Sequence, residues 1–177
     1  RTTAGFMQPF RQSETVAGVY IEECRNRPVF YEEVESALKK INEGPSGRKM
    51  FQIIRDNLHP DKQILICHTR ENSNTSVLMT ESQFTKYHTV NEMEEKKRSI
   101  LLATRAGLFR GQGTSAEINY NPDFSVVIDE EGRPSPVSAP DKAWLVLSHE
   151  LIHAMRILKG TSTAYFGDAN DPRTGAG

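Results

Sequence analysis

The sequence is poor in cysteine, and its charges nearly balance. Only Cys24 and Cys67 occur among 177 residues, so the disulfide framework that stabilises many small secreted domains is excluded. We expect both thiols to be reduced and at least partly buried. The formal net charge is −1, from 22 basic and 23 acidic residues. That balance does not predict binding to nucleic acid or to an anionic membrane.

Long apolar runs are absent as well. The apolar stretches are far too short to cross a bilayer, and the N-terminus lacks the basic and apolar pattern of a signal peptide. The length suits one compact domain with its own core. We predict a flexible lead-in over residues 1–13 and a single domain over residues 14–177. Because the last residues have a loop-like composition, we expect the protein to continue beyond them.

Periodicity and turn residues predict a mixture of helices and strands. The predicted elements are a helix at 28–42, a short helix ending before His59, strands at 63–69, 76–80, 116–120 and 124–129, an ambiguous segment at 92–102 and a loop at 135–139. The clearest element is a helix over 142–159 that ends at Gly160. Its apolar residues cover nearly the whole circumference, which predicts a helix buried on all sides.

Three titratable residues lie together in that last helix. His149 and His153 are four residues apart, so their side chains share one face, one turn apart. Both imidazoles can then reach one Zn²⁺ ion at about 2.0–2.1 Å. Glu150 flanks the same face and can accept a proton from the attacking water. The spacing predicts two zinc ligands and a general base; the alternative is a helix whose histidines form hydrogen bonds in a polar niche.

A catalytic zinc site needs a third protein ligand, and the sequence leaves its identity open. Asp168 and Asp171 are candidates, although both are also typical turn residues. Gly160-Thr161 resembles the start of a Gly-Thr-x-x-Asp ligand motif, but Ala164 stands where that motif needs aspartate. The ligand could also lie beyond the chain's last residue. Tyr165 is a candidate donor to a developing oxyanion.

The flanks of the motif resemble a known family. Residues 147–156 with Gly160-Thr161, together with the segments 111–115 and 121–122, resemble the NleD-like family of bacterial type III secreted effector proteases. The resemblance covers residues 100–177. It implies an α+β, zincin-like metalloprotease with a small mixed or antiparallel sheet packed on a central active-site helix.

The resemblance also implies a function. Members of the family are zinc endopeptidases injected into the host-cell cytoplasm, where the best known cleave MAP kinases of the JNK and p38 type within the activation loop. By position, His149 and His153 correspond to the zinc ligands and Glu150 to the catalytic base. A Glu-Glu segment that would supply the third ligand lies beyond this sequence. We expect a monomer that takes an extended host peptide along a sheet edge, at 116–120 or 124–129, without nucleic acid or membrane as partner.

Two other functions remain open from the residues alone. One is a zinc hydrolase acting on a non-peptide amide or ester. The other is a non-catalytic binding module that keeps the helix pattern as core; a zinc measurement separates it from both enzymes. Three further histidines are predicted to be structural or solvated, namely His59, His68 and His88.

Overall fold

A five-stranded mixed sheet lies at the centre of the computed structural model, which describes residues 9–163. Its strands are β1 (Phe10–Gln12), β2 (Val19–Glu22), β3 (Ile64–His68), β4 (Asn74–Leu78) and β5 (Ser115–Tyr120). Their spatial order is β1-β2-β3-β5-β4. Strands β2, β3 and β5 run parallel, whereas β1 and β4 are antiparallel to their neighbours. Strand β5 is therefore internal, and β4 forms an edge of the sheet.

A separate two-stranded ribbon follows β5 along the chain. Strands β6 (Phe124–Ile128) and β7 (Pro134–Ser138) pair antiparallel. Asp129 accepts hydrogen bonds from the backbone N–H groups of Glu131 and Arg133, which closes the turn. The loop predicted at 135–139 is therefore wrong. Pro134 and Pro136 suggested irregular chain, but a two-stranded ribbon tolerates residues that lack an N–H donor.

Five α-helices complete the described part of the chain. They are α1 (Phe30–Glu43), α2 (Pro45–Asp56), α3 (Glu81–Tyr87), α4 (Glu92–Ala103) and α5 (Ala143–Lys159), the last preceded by a 3-10 turn at Pro140–Lys142. Helix α3 begins with a capping box, because Thr80 and Gln83 each bond to the other's backbone N–H. Helix α4, ambiguous in sequence, begins where the Asn91 side chain accepts from two backbone N–H groups.

The main core lies between one face of the sheet and helices α1, α2 and α5. Alternate residues of β2, β3 and β5 point to this side, as the two-residue period of a strand requires. They meet the apolar stripe of each helix. The strand side chains are Val19, Ile21, Ile64, Ile66, Ala116, Ile118 and Tyr120, and the principal helix side chains are Phe30, Val34, Leu38, Met50, Phe51, Ile54, Leu147, Leu151, Ala154, Ile157 and Leu158.

The lead-in predicted over residues 1–13 needs correction. Residues 10–12 form β1, whose pairing with β2 extends the sheet, and the Ser13 hydroxyl donates to the Glu35 carboxylate on α1. Three residues give too short a pattern to be read as a strand from sequence. The predictions for α1, β3, β5, β6 and α5 are confirmed within the usual uncertainty of element ends.

Candidate metal and catalytic site

Helix α5 carries the candidate site, and its C-terminal end is held at several points. Gly160 closes the helix in the left-handed conformation, with φ of 70°. Neighbouring segments satisfy the last carbonyls: the Thr114 N–H donates to Ile157 O and the Lys62 ammonium to Leu158 O, at 3.1 and 2.9 Å. A lysine at this end also complements the helix dipole. The C-terminal end of the helix is therefore attached to the neighbouring segments at residues 157 and 158.

The two imidazoles of α5 come together as the sequence predicts. Nε2 of His149 and Nε2 of His153 are 3.1 Å apart, and the rings meet edge to face with centroids 4.7 Å apart. In the metal-free protein one ring can donate a hydrogen bond to the other if their tautomers differ. The same convergence of two nitrogens is what a shared cation requires.

The donor set fits a zinc ion. With metal–nitrogen bonds of about 2.0–2.1 Å, a nitrogen separation of 3.1 Å corresponds to a ligand–metal–ligand angle of about 95–102°. That angle is close to tetrahedral. Neutral imidazole is a good ligand for zinc. The pair can therefore provide two positions of a tetrahedral site without rearranging the helix.

Glu150 points towards the sheet. Its side chain is 7% exposed, and Oε1 accepts a hydrogen bond of 2.8 Å from the Thr75 hydroxyl on β4. The Thr75 oxygen also lies 3.2 Å from the Glu150 carbonyl oxygen. No feature of the sequence near position 75 suggested this contact, because it depends on the placement of β4 beside α5. The glutamate is thus adjacent to the imidazole pair and anchored to the edge strand.

The environment shifts the pKa values of two site residues. Burial lowers the pKa of His153, and the neighbouring charges of His149 and Arg156 lower it further. The imidazole is therefore neutral, as a metal ligand must be, over a wider pH range. Burial raises the pKa of Glu150, against the opposing effects of the Thr75 hydrogen bond and the His149 charge. A raised carboxyl pKa brings a general base closer to neutral operating conditions.

The prediction that α5 is buried on all sides is wrong. Leu145 and Ile152 are 48% and 37% exposed, His149 is exposed and His153 is half-buried. The helix packs on β4 and β5 and against α1 and α2, which leaves one side uncovered by the described residues. Apolar residues on that side gave the sequence an all-round apolar pattern. An accessible face is what a catalytic metal site needs, because substrate must reach the ion.

Comparison with known proteins identifies the family. A model of the Peptidase_M91 family, described as effector protein, matches residues 21–177. The chain belongs to this family. The match confirms at family level the resemblance seen around the motif, and it extends that resemblance towards the N-terminus as far as residue 21, near the end of β2. No curated protein sequence matches this Peptidase_M91 chain.

Two solved structures resemble this Peptidase_M91 protein. The light chain of botulinum neurotoxin serotype HA aligns over 94% of this chain and 54% of its own length, with a TM-score of 0.56 and 12% identity. The type G light chain aligns over 81% and 44%, with a TM-score of 0.48 and 14% identity. The first of these matches shows the fold, and the expected α+β, zincin-like class is confirmed. The chain spans about half the length of both light chains.

The described residues supply two candidate ligands and no more. Within residues 9–163 no group of three or more histidine, cysteine, aspartate or glutamate side chains could hold a metal ion together. The candidate third ligands Asp168 and Asp171, and the candidate oxyanion donor Tyr165, lie outside the described residues. Their assignment stays a prediction.

The remaining histidines and the cysteines have other surroundings. His68 contacts the Phe30 ring edge to face and lies 3.9 Å from the Cys24 sulfur, while burial lowers its pKa. His88 pairs with Glu95 at 2.8 Å. Neither cysteine forms a disulfide, and Cys67 is buried and Cys24 half-buried, as predicted.

The sheet edge nearest the site is β4. Strand β5, one of the two segments predicted to receive substrate, pairs with β3 on one side and β4 on the other, so its backbone is already engaged. The prediction that substrate binds along residues 116–120 is therefore wrong. Strand β6 keeps one unpaired side in its ribbon. Strand β4 pairs only with β5 among the described strands and carries the residue that contacts Glu150.

Proposed function

We propose that this protein is a zinc-dependent endopeptidase of the effector type that cleaves a host signalling protein. One observation carries the proposal: in a member of a peptidase family, His149 and His153 bring two imidazole nitrogens within 3.1 Å on the helix that also carries Glu150. The two histidines would hold the zinc ion together with a ligand outside the described residues. By the resemblance noted above, MAP kinases of the JNK and p38 type are the proposed substrates, cleaved in the host cytoplasm.

The chemistry is hydrolysis of a peptide bond by water. A zinc ion held by His149 and His153 would supply a Lewis acid that makes the attacking water more acidic and polarises the scissile carbonyl. Glu150 takes a proton from the attacking water and returns it to the amine of the departing fragment. Its buried position raises its proton affinity for the first step. The carboxylate is regenerated when the amine leaves, so the residue is unchanged after each turnover.

Comparison of Glu150→Ala with the unaltered chain tests this function. Proton transfer by a positioned base contributes about 10²- to 10⁴-fold to the rate, so we expect fragments of a target protein in host-cell lysate to disappear in the variant. Zinc content and fold should stay, because Glu150 is not a proposed ligand. Glu94→Ala, which removes an exposed glutamate from α4, is the matched control and should keep full activity.

His149→Ala distinguishes the enzyme from a binding module. We expect this variant to lose both zinc and cleavage. If the unaltered chain holds no zinc and Glu150→Ala changes no fragment, the peptidase proposal is wrong. Fragments absent from both proteins, with zinc present in both, would favour a zinc hydrolase acting on a non-peptide bond.

The proposed substrate path follows the free edge of β4. An extended peptide can add to an exposed strand through main-chain hydrogen bonds, and Thr75 places this edge beside Glu150. Methylation of alternate backbone nitrogens in a substrate peptide removes its donors without changing its sequence. We expect one alternate set to slow cleavage strongly and the other to have little effect. Equal rates for both sets and the unmethylated peptide would contradict strand addition.

Membrane anchoring plays no part in this proposal. Within residues 9–163 no helix combines the length and the apolar character needed to cross a bilayer. The substrate is a protein segment, and we propose that the enzyme works as a monomer without nucleic acid.

A further inference from the structure

The hydrogen bond from Thr75 to Glu150 has a defined direction. A threonine hydroxyl has one hydrogen to donate. The two acceptors within reach are Oε1 of Glu150 at 2.8 Å and the Glu150 carbonyl at 3.2 Å. The carboxylate oxygen is both nearer and charged, so it is the stronger acceptor. One oxygen of Glu150 is therefore occupied in the resting protein.

The second carboxylate oxygen is left for another partner. Oε2 of Glu150 has no hydrogen bond to any described residue, and no fully buried side-chain oxygen in the described part lacks a partner. Oε2 therefore keeps contact with solvent despite the burial of the side chain. The two oxygens differ in role: one is bound to the edge strand and the other can reach water.

A free glutamate carboxyl group would not keep this distinction. Its terminal torsion has a broad, nearly two-fold profile, so the two oxygens exchange readily. Here the Thr75 hydroxyl restricts the carboxyl group of Glu150. Thr75 lies on a strand rather than on a loop, and it is paired with Ile118 in the register of β4 and β5. Threonine is also stiff at its first side-chain torsion. Supports of this kind, on regular elements, hold catalytic groups most accurately.

We infer that Thr75 is a positioning residue for Glu150: its hydroxyl holds Oε1, so that Oε2 is the oxygen that exchanges protons with the attacking water. The inference rests on the proposed function, because it gives Glu150 the role of general base. Thr75 itself touches no reacting atom. It acts by fixing which carboxylate oxygen faces the water and by reducing the time spent in unproductive orientations.

Two substitutions test the kinetic part. Thr75→Val keeps the branched shape of the side chain but removes the hydroxyl, and Thr75→Ser keeps the hydroxyl. We expect Thr75→Val to lower kcat about 10- to 100-fold, which is the range typical of groups that hold a functional ligand in place. KM should change less than about two-fold, and the zinc content should stay the same. Thr75→Ser should recover most of kcat. Equal kcat values for Thr75→Val and the unaltered chain would overturn the inference.

A second readout does not depend on turnover. Thr75→Val leaves Oε1 of Glu150 buried without its donor, so it should lower the melting temperature of the zinc-free protein. In a Glu150→Ala background the carboxylate is gone, and the same substitution should lower the melting temperature much less or not at all. Equal losses in both backgrounds would show that Thr75 acts on the fold independently of Glu150, which overturns the inference.

The two experiments separate this inference from the proposed function. If zinc-dependent cleavage requires Glu150 but Thr75→Val is fully active, only the role of Thr75 is wrong. If Glu150→Ala cleaves as well as the unaltered chain, the general base itself is misassigned and the proposed function fails. Thr15→Val removes a comparable threonine-to-glutamate hydrogen bond, from the Thr15 hydroxyl to the Glu35 carboxylate at 2.9 Å. It lies outside β4 and α5, so it is a control for the loss of such a bond and should not reproduce the kcat loss.

Discussion

Substitution of Gly160 by alanine should destabilise the protein far more than an ordinary glycine replacement. Gly160 ends α5 with φ of 70°, a conformation that disfavours any side chain. Its carbonyl accepts a hydrogen bond of 2.8 Å from the Gly111 N–H. The backbone of residues 111–113 therefore lies directly against the end of the helix that carries the histidine pair.

The size of the effect follows from two contributions. Left-handed backbone costs an alanine about 1–2 kcal/mol. A β-carbon on Gly160 would also stand 2.1 Å from the Gly111 oxygen and 2.9 Å from the Gly113 nitrogen. Because these are backbone atoms, they cannot rotate aside, and overpacking of this kind costs about 1–3 kcal/mol. We expect Gly160→Ala to lower the free energy of unfolding by about 2–5 kcal/mol.

Gly132 provides a matched control in the turn between β6 and β7. Its φ is 80°, and an added β-carbon meets nothing within 4 Å. Gly132→Ala should therefore show the conformational cost alone, about 1–2 kcal/mol. Urea unfolding of both variants gives the two free energies under the same conditions. If Gly160→Ala costs no more than Gly132→Ala, the close contact between the helix end and residues 111–113 is wrong.

Two further predictions concern the core and the ion pairs. Leu151→Ala should lower the free energy of unfolding by about 2–5 kcal/mol, because Leu151 is fully buried against the sheet. Leu145→Ala, at a half-exposed position of the same helix, should lower it by under about 1 kcal/mol in the same urea assay. Equal losses would contradict the packing of α5. Arg27→Met should cost about 1–3 kcal/mol, since Arg27 binds the Glu33 and Asp123 carboxylates with four nitrogen–oxygen contacts of 2.7 Å. Hydrogen bonds from Arg27 hold the pKa of Asp123 below its usual range. The stability lost in Arg27→Met should therefore be full above about pH 5 and should shrink below about pH 4, because Asp123 is then protonated in the unaltered chain as well. A difference that grew in acid would contradict the pairing.

The sequence predicted the meeting of the two imidazoles better than it predicted the sheet. The spacing of His149 and His153, and the glycine that ends the helix, are local features, and the helix period alone determines that the imidazoles meet. Thr75 could not be found in this way, since seventy-five residues separate it from Glu150 and only the strand order brings the two together. Long-range pairing leaves no local pattern.

Other errors came from patterns that had two interpretations. The capping box at Thr80 and Gln83 was present in the sequence and marks the start of α3, but the helix has only seven residues and no clear apolar stripe. The apolar residues around α5 suggested complete burial, yet Leu145 and Ile152 stand on its accessible face. Exposed apolar side chains are common on protein surfaces, so apolar content alone did not define the buried side.

X-ray absorption spectroscopy of the zinc-loaded protein is the most direct test of the proposed metal centre. The unaltered chain should show two imidazole nitrogens at about 2.0–2.1 Å from zinc, a distance compatible with the 3.1 Å separation of the His149 and His153 nitrogens. In His153→Ala, the spectrum should show fewer than two imidazoles or no bound zinc. An identical spectrum in the two proteins would mean that zinc binds elsewhere and that the pair on α5 is not its site.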